Sequence, residues 1–125
     1  MYKRQDVRGI NLLAFPKLLK RVVGGHFGLI PRIAELALND EIEAYNIPQG
    51  IISHLYRDIA SGKPGVFTKV GLGTFADPRI EGGKVNKSSK ENLIELINIK
   101  EEEYLFIPTF PLDIAILRCL KETLV

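Results

Sequence analysis

The sequence predicts an α/β domain with a mainly parallel sheet flanked by helices, and three observations carry that prediction. Segments of helical and strand periodicity alternate along the chain. Ile51, Ile52, Leu55, Tyr56, Ile59 and Ala60 recur at helical spacing between two short strand-like runs. The chain has 125 residues, 46% hydrophobic and 26% charged, which suits one folded domain and argues against disorder throughout.

The elements follow in order. Residues 16–21 (PKLLKR) read as a short helical turn, because proline fits the first helical position. Val22 and Val23 form a short apolar strand, and Gly24-Gly25-His26-Phe27-Gly28 is the loop after it. Pro31 opens a second helix, with Ile33, Leu36 and Ala37 on one face, and Asn39-Asp40 closes it. Residues 41–47 (EIEAYNI) alternate acidic and apolar side chains, which predicts a strand with one face buried, broken by Pro48. The third helix runs over 50–61, with Ser53, His54, Arg57 and Asp58 on its polar side, and ends at Gly62-Lys63-Pro64-Gly65. Residues 66–70 (VFTKV) form a strand, followed by the loop Gly71-Leu72-Gly73-Thr74. Residues 77–92, rich in glycine and lysine, read as an exposed excursion. Residues 93–99 and 104–107 flank an acidic turn, Lys100 to Glu103, and so predict a β-hairpin. Residues 113–117 read as a last strand.

Charge and composition exclude several function classes. There are 17 Lys and Arg against 15 Asp and Glu, a net charge of +2, which is no nucleic-acid footprint. No apolar run approaches the roughly 20 residues of a membrane span, and no secretory signal opens the chain, so no membrane is expected and the compartment is the bacterial cytoplasm. Cys119 is the single cysteine, and His26 and His54 are the two histidines, so neither a disulfide nor a compact zinc site is expected. No metal is assigned.

In a parallel sheet the ligand lies beyond the carboxyl ends of the strands. Two loops belong there. Pro48-Gln49-Gly50 would place an amide beside a helix N-terminus, a position that favours anions and oxyanions; the alternative is that Gln49 is a helix cap. Gly71-Leu72-Gly73-Thr74 would let backbone approach a ligand closely; the alternative is a plain tight turn. Gly24 to Gly28 has neither the Walker A nor the dinucleotide spacing. His26 reads as structural, His54 as solvated, Glu101 to Glu103 as an exposed turn, and Cys119 as a small buried residue. No catalytic triad, metal cluster or basic-aromatic patch is visible.

EAYNIPQG (43–50), SGKPGVFTKVGLGTFADPR (61–79) and EGGKVN (81–86), in this order, closely resemble the family I coenzyme A-transferases. The likeness is strongest to bacterial acetate and propionate CoA-transferases, whose two halves share one chain, and covers about residues 6–118. The resemblance implies the alpha half of an enzyme that moves CoA between an acyl-CoA and a free carboxylate. It implies a glutamate nucleophile in the second half, which forms an acyl anhydride and then a glutamyl-CoA thioester. Ser89-Lys90-Glu91-Asn92 is a near match in letters to that segment but lies in the first half, and it is not assigned. The resemblance places Gln49 in the active site, donating toward the acyl oxygen, with Gly50, Gly71, Gly73 and Thr74 beside the substrate. No covalently bound cofactor is implied; coenzyme A is a substrate. The expected partners are the beta half of the same enzyme, acyl-CoA and a short-chain carboxylate, and the whole enzyme is expected to be a homo-oligomer.

The resemblance also bears on both termini. Residues 1–5 (MYKRQ) read as a non-native scar, 6–125 as a partial alpha-type domain cut at both ends, and the residues after 118 depart from the family pattern. Two other readings remain at this point. One is a sugar-phosphate isomerase-like enzyme on a similar fold; the other is a non-catalytic α/β binding module.

Overall fold

The computed structural model describes residues 9–117. The expected scar at 1–5, the departure after 118 and Cys119 lie outside the described residues. After a 3-10 turn at Gly9–Leu13 come β1 (Arg21–Gly24), α1 (Pro31–Leu38), β2 (Glu43–Asn46), α2 (Gln49–Ala60), β3 (Gly65–Thr68), β4 (Glu95–Ile99) and β5 (Glu102–Pro108).

The helices form where periodicity placed them. Pro31 supplies the first turn of α1, and Ile33, Leu36 and Ala37 are buried. On α2 the buried stripe is Ile51, Ile52, Leu55 and Asp58. Tyr56 and Ala60, expected in that stripe, are exposed. Asp58, expected on the polar side, is 5% exposed. The i, i+4, i+7 row 51-55-58 sets the buried face, and a carboxylate is tolerated there because Arg57 and Lys63 lie 3.4 and 3.5 Å from its Oδ1. The expected helical segment at 16–21 is a three-residue turn at 16–18, because β1 begins at Arg21 and leaves no room for a hydrogen-bonded second turn.

The α/β class stands. β1 and β2 pair in parallel, Val22 opposite Ala44 and Gly24 opposite Asn46, with α1 as the crossover. The later strands form a separate antiparallel sheet in the order β3-β5-β4. The parallel share is therefore smaller than the element order implied. The cause is local: β4 and β5 are joined by Lys100 and Glu101 alone, both with positive φ (50° and 67°), a two-residue connection that makes a hairpin. The last strand expected at 113–117 is irregular and exposed; no described strand takes up its backbone groups.

β2 was expected to bury one face and buries both, with Ala44 and Tyr45 fully covered. Residues 77–92, expected to be an exposed excursion, are the reason for part of this. Asp77, Gly82, Gly83 and Ser89 are buried, and the segment wraps the free edge of β2. Asn46 N donates to Gly83 O (2.7 Å) and Val85 N to Ala44 O (2.9 Å). Ser89 Oγ accepts from Ala44 N (2.8 Å), and the Asn86 amide donates to Ala37 O and Ile42 O (2.7 Å each). Most of the segment is exposed as expected, and hydropathy alone misses the four positions that are buried against the strand edge and the turn. Arg21 completes the seam, bridging Glu43 and Glu91 over the Tyr45 ring.

Two cores result. One packs α1 on β1 and β2 through Val22, Ile33, Leu36, Ile42 and Ala44. The other packs α2 on the antiparallel sheet through Ile47, Ile51, Leu55, Val66, Leu105 and Ile107. The chain passes from the first to the second between Ala44 and Ile47, directly before Pro48-Gln49.

Candidate functional site

The carboxyl ends of β1 and β2 stay joined one residue past the sheet, where Ile47 N donates to Gly24 O (3.0 Å). Pro48 then occupies the N-cap position of α2, and Ile51 N and Ile52 N donate to its carbonyl (2.9 and 3.2 Å). Gln49 is the first helical residue. The capping alternative does not fit, since no side chain caps this helix. The Gln49 carbonyl accepts from Ser53 Oγ (3.1 Å), while its exposed carboxamide makes no hydrogen bond among the described residues. That carboxamide lies over Gly25 of the loop after β1: a Cβ on Gly25 would stand 2.3 Å from Gln49 Oε1. Two loops thus converge on one amide, at a helix end whose unpaired N–H groups favour negative charge.

Gly50 is exposed, with open space where a side chain would begin. A cavity of about 320 Å³ lies between α2 and β3, lined by Pro48, Gly50, His54, Arg57, Phe67 and Thr68 among others. His54, expected to be solvated, is exposed at this cavity. His26 is exposed, its ring standing against Gly28.

The second loop is a closed turn. Gly71 and Gly73 adopt φ of +99° and +72°, conformations that side-chain-bearing residues seldom take. Thr74 Oγ1 donates to Gly71 O (2.7 Å), and Gly73 N donates to Asp77 Oδ2 (2.9 Å). The Thr74 hydroxyl hydrogen and the Gly73 N–H are therefore engaged within the turn. Gly83 links this turn to the Gln49 side of the molecule: its N donates to Phe75 O (2.8 Å), and its O accepts from Asn46 N. Both expected loops accordingly lie at the same end of β2, though no hydrogen bond joins Gln49 to residues 71–74 among the described residues.

Asp77 organises the turn, and sequence reasoning missed it. It is 1% exposed and bound by the Arg79 fork, Nε to Oδ1 at 3.0 Å and Nη2 to Oδ2 at 2.8 Å. Arg79 reaches on to Glu103 (3.0 Å). The Arg79 side chain, then the main-chain N–H groups of Gly73 and Arg79, hold the Asp77 carboxyl well below the usual carboxylate range. The signal available in the sequence was an Asp and an Arg two residues apart, straight after a glycine-rich turn.

This sets a pH dependence. Because the native value lies below the unfolded one of about 3.9, the contribution is complete above about pH 4 and is lost as pH falls further. Asp77→Asn is expected to lower Tm at pH 7 by roughly 5 °C, with the gap narrowing as pH falls below about 4. Thermal unfolding at pH 7 and pH 2.5 checks this. A gap that stays constant would mean that the charge plays no part.

The remaining candidates are structural. Ser89 secures β2, Glu91 pairs with Arg21, and Glu101 sits in the hairpin turn as expected. Among the described residues, no group of three His, Cys, Asp or Glu side chains could hold a metal ion, and no helix is long and apolar enough to cross a membrane.

A family model described as coenzyme A transferase matches residues 3–124. The chain is 45% identical over 111 residues to the caffeate CoA-transferase of Acetobacterium woodii, and equally to the acetate CoA-transferase YdiF of Escherichia coli strain K12. In each case the match covers 89% of this chain and 21% of the relative. A crystal structure of the acyl-CoA transferase YdiF from E. coli O157:H7, in a thioester complex with CoA, superposes with a TM-score of 0.80 at 43% identity. It covers 83% of this chain and 20% of that one. The chain thus spans about a fifth of the length of these relatives.

Proposed function

This chain belongs to the coenzyme A transferase family, and from that premise we propose that it is a stretch of the alpha half of an acyl-CoA:carboxylate CoA-transferase. The reaction moves CoA between a short-chain acyl-CoA and a free acid such as acetate or propionate, in the cytoplasm. The relatives named for caffeate and for acetate match equally well, so the acid class rests on the resemblance of the motifs and not on these identities.

The observation that carries the proposal is the carboxamide of Gln49: exposed, without a hydrogen-bond partner among the described residues, at the N-terminus of α2. Attack on a thioester carbonyl turns its oxygen into an oxyanion. A fixed N–H donor meets that charge without reorganising. Gln49 takes this role. Gly50 leaves space beside it, and Gly71, Gly73 and Thr74 shape the neighbouring wall. The attacking glutamate belongs to a beta half, the partner this stretch needs; acyl-CoA and the carboxylate are the substrates, and the whole enzyme is a homo-oligomer.

The test is intact-mass spectrometry after incubation with acetyl-CoA. This chain alone is expected to form no protein–CoA thioester, and a whole transferase carrying this segment should form one. A stoichiometric adduct on a glutamate of this chain would overturn the assignment of the nucleophile. Absence of any adduct in the whole enzyme would overturn the reaction class.

A further inference from the structure

We infer that Asn46 and Gly25 are positioning residues for Gln49, a role that rests on the donor function proposed above. Asn46 is the last residue of β2 and the register partner of Gly24. Its carboxamide is faced by the carbonyl oxygens of Gly24 and Gly25. These admit only a donor, so the nitrogen points at both, 3.2 Å from each. The Gly25 peptide is thereby held with its carbonyl turned toward β2.

The Gln49 side chain lies on that peptide. A Cβ on Gly25 would stand 2.3 Å from Gln49 Oε1, 3.1 Å from its Cβ and 3.2 Å from its Cα. Gly25 has no left-handed φ, so backbone strain does not select glycine here. The close approach of Gln49 does. The tip of Gln49 can swing away from an added methyl, but its Cα and Cβ belong to the first turn of α2 and can yield only by shifting that turn. Asn46 thus fixes the Gly25 peptide, and that peptide seats the first turn of α2 from which the Gln49 amide projects. A donor displaced by about 1 Å loses much of its effect on the transition state.

The experiment is a double-mutant cycle in a whole transferase carrying this segment. Acetyl-CoA and propionate are the substrates, and kcat and KM are measured separately. Gly25→Ala and Asn46→Asp, which sets oxygen against two carbonyl oxygens, are each expected to lower kcat about 10- to 100-fold. The KM for acetyl-CoA should stay within about threefold, because uniform binding is untouched. In a Gln49→Ala background the same changes should cost less than about threefold further. If Asn46→Asp does not fold, Gly25→Ala alone decides the question.

Equal losses with and without Gln49 would make both residues merely structural and overturn the inference. So would either variant keeping more than half of kcat. If Gln49→Ala itself keeps its rate, the donor reading falls and this inference with it, an outcome seen in a different variant.

Discussion

Gln49→Ala, in a whole transferase carrying this segment, is expected to lower the rate of CoA transfer by about 10²- to 10³-fold, the usual loss for one oxyanion donor. The change should leave folding nearly intact, because the side chain is exposed and bonds to nothing else in the described structure. Gln49→Glu should be at least as harmful. A carboxylate there accepts where a donor is needed and repels both the oxyanion and the incoming acid. Steady-state rates with acetyl-CoA and propionate decide it. A Gln49→Ala enzyme retaining more than about half the parent rate would remove Gln49 from the chemistry.

Leu105→Ala is expected to be strongly destabilising, at about 2–5 kcal/mol. Leu105 is fully buried on β5, in the core shared by α2 and the antiparallel sheet. Truncation removes apolar contact and leaves a cavity that the backbone around it cannot collapse to fill. Set against the roughly 5–15 kcal/mol that stabilises an ordinary domain, such a loss is a large fraction of the whole. Its Cδ1 also lies 3.1 Å from where a Cβ on Gly71 would sit, so the same change loosens the floor of the Gly71–Thr74 turn. Urea unfolding of this chain measures the effect. A midpoint nearly unchanged at constant m-value would mean that Leu105 is not part of a tight core.

The two helices and the hairpin were legible in the sequence because each is specified within a few residues. Pro31 with the 33-36-37 row defines α1, and Lys100 to Glu103 between two apolar runs defines the turn. Family membership was legible for a different reason, the length and order of the motifs around Gln49 and Gly71. The pairing of β3 with β5 was not legible, because the two strands meet across some forty residues of chain and periodicity is silent about partners at that distance. The exposed reading of residues 77–92 fits most of that segment and misses Asp77, Gly82, Gly83 and Ser89, for the same cause. Ser89 and Gly83 look like loop residues until β2 supplies the groups that they satisfy, and Asn86 until Ala37 and Ile42 supply their carbonyls. Asp77 was overlooked because an Asp and an Arg two residues apart do not by themselves announce a buried pair, and Asn46 because its importance comes from main-chain groups, the carbonyls of Gly24 and Gly25. Backbone groups have no letter in a sequence.

The wrap of residues 83–89 around β2 also orders the assembly of the fold. β1, α1 and β2 are near neighbours in sequence and can meet early, yet Ala44 and Asn46 are satisfied on their outer side only when chain some forty residues downstream has returned. Closing so long a loop carries an entropic penalty that short-range contacts do not. The end of β2, and with it the entry to α2 where Gln49 sits, is therefore expected to be completed late, which hydrogen-exchange pulse labelling of the Asn46 main-chain amide during refolding would check.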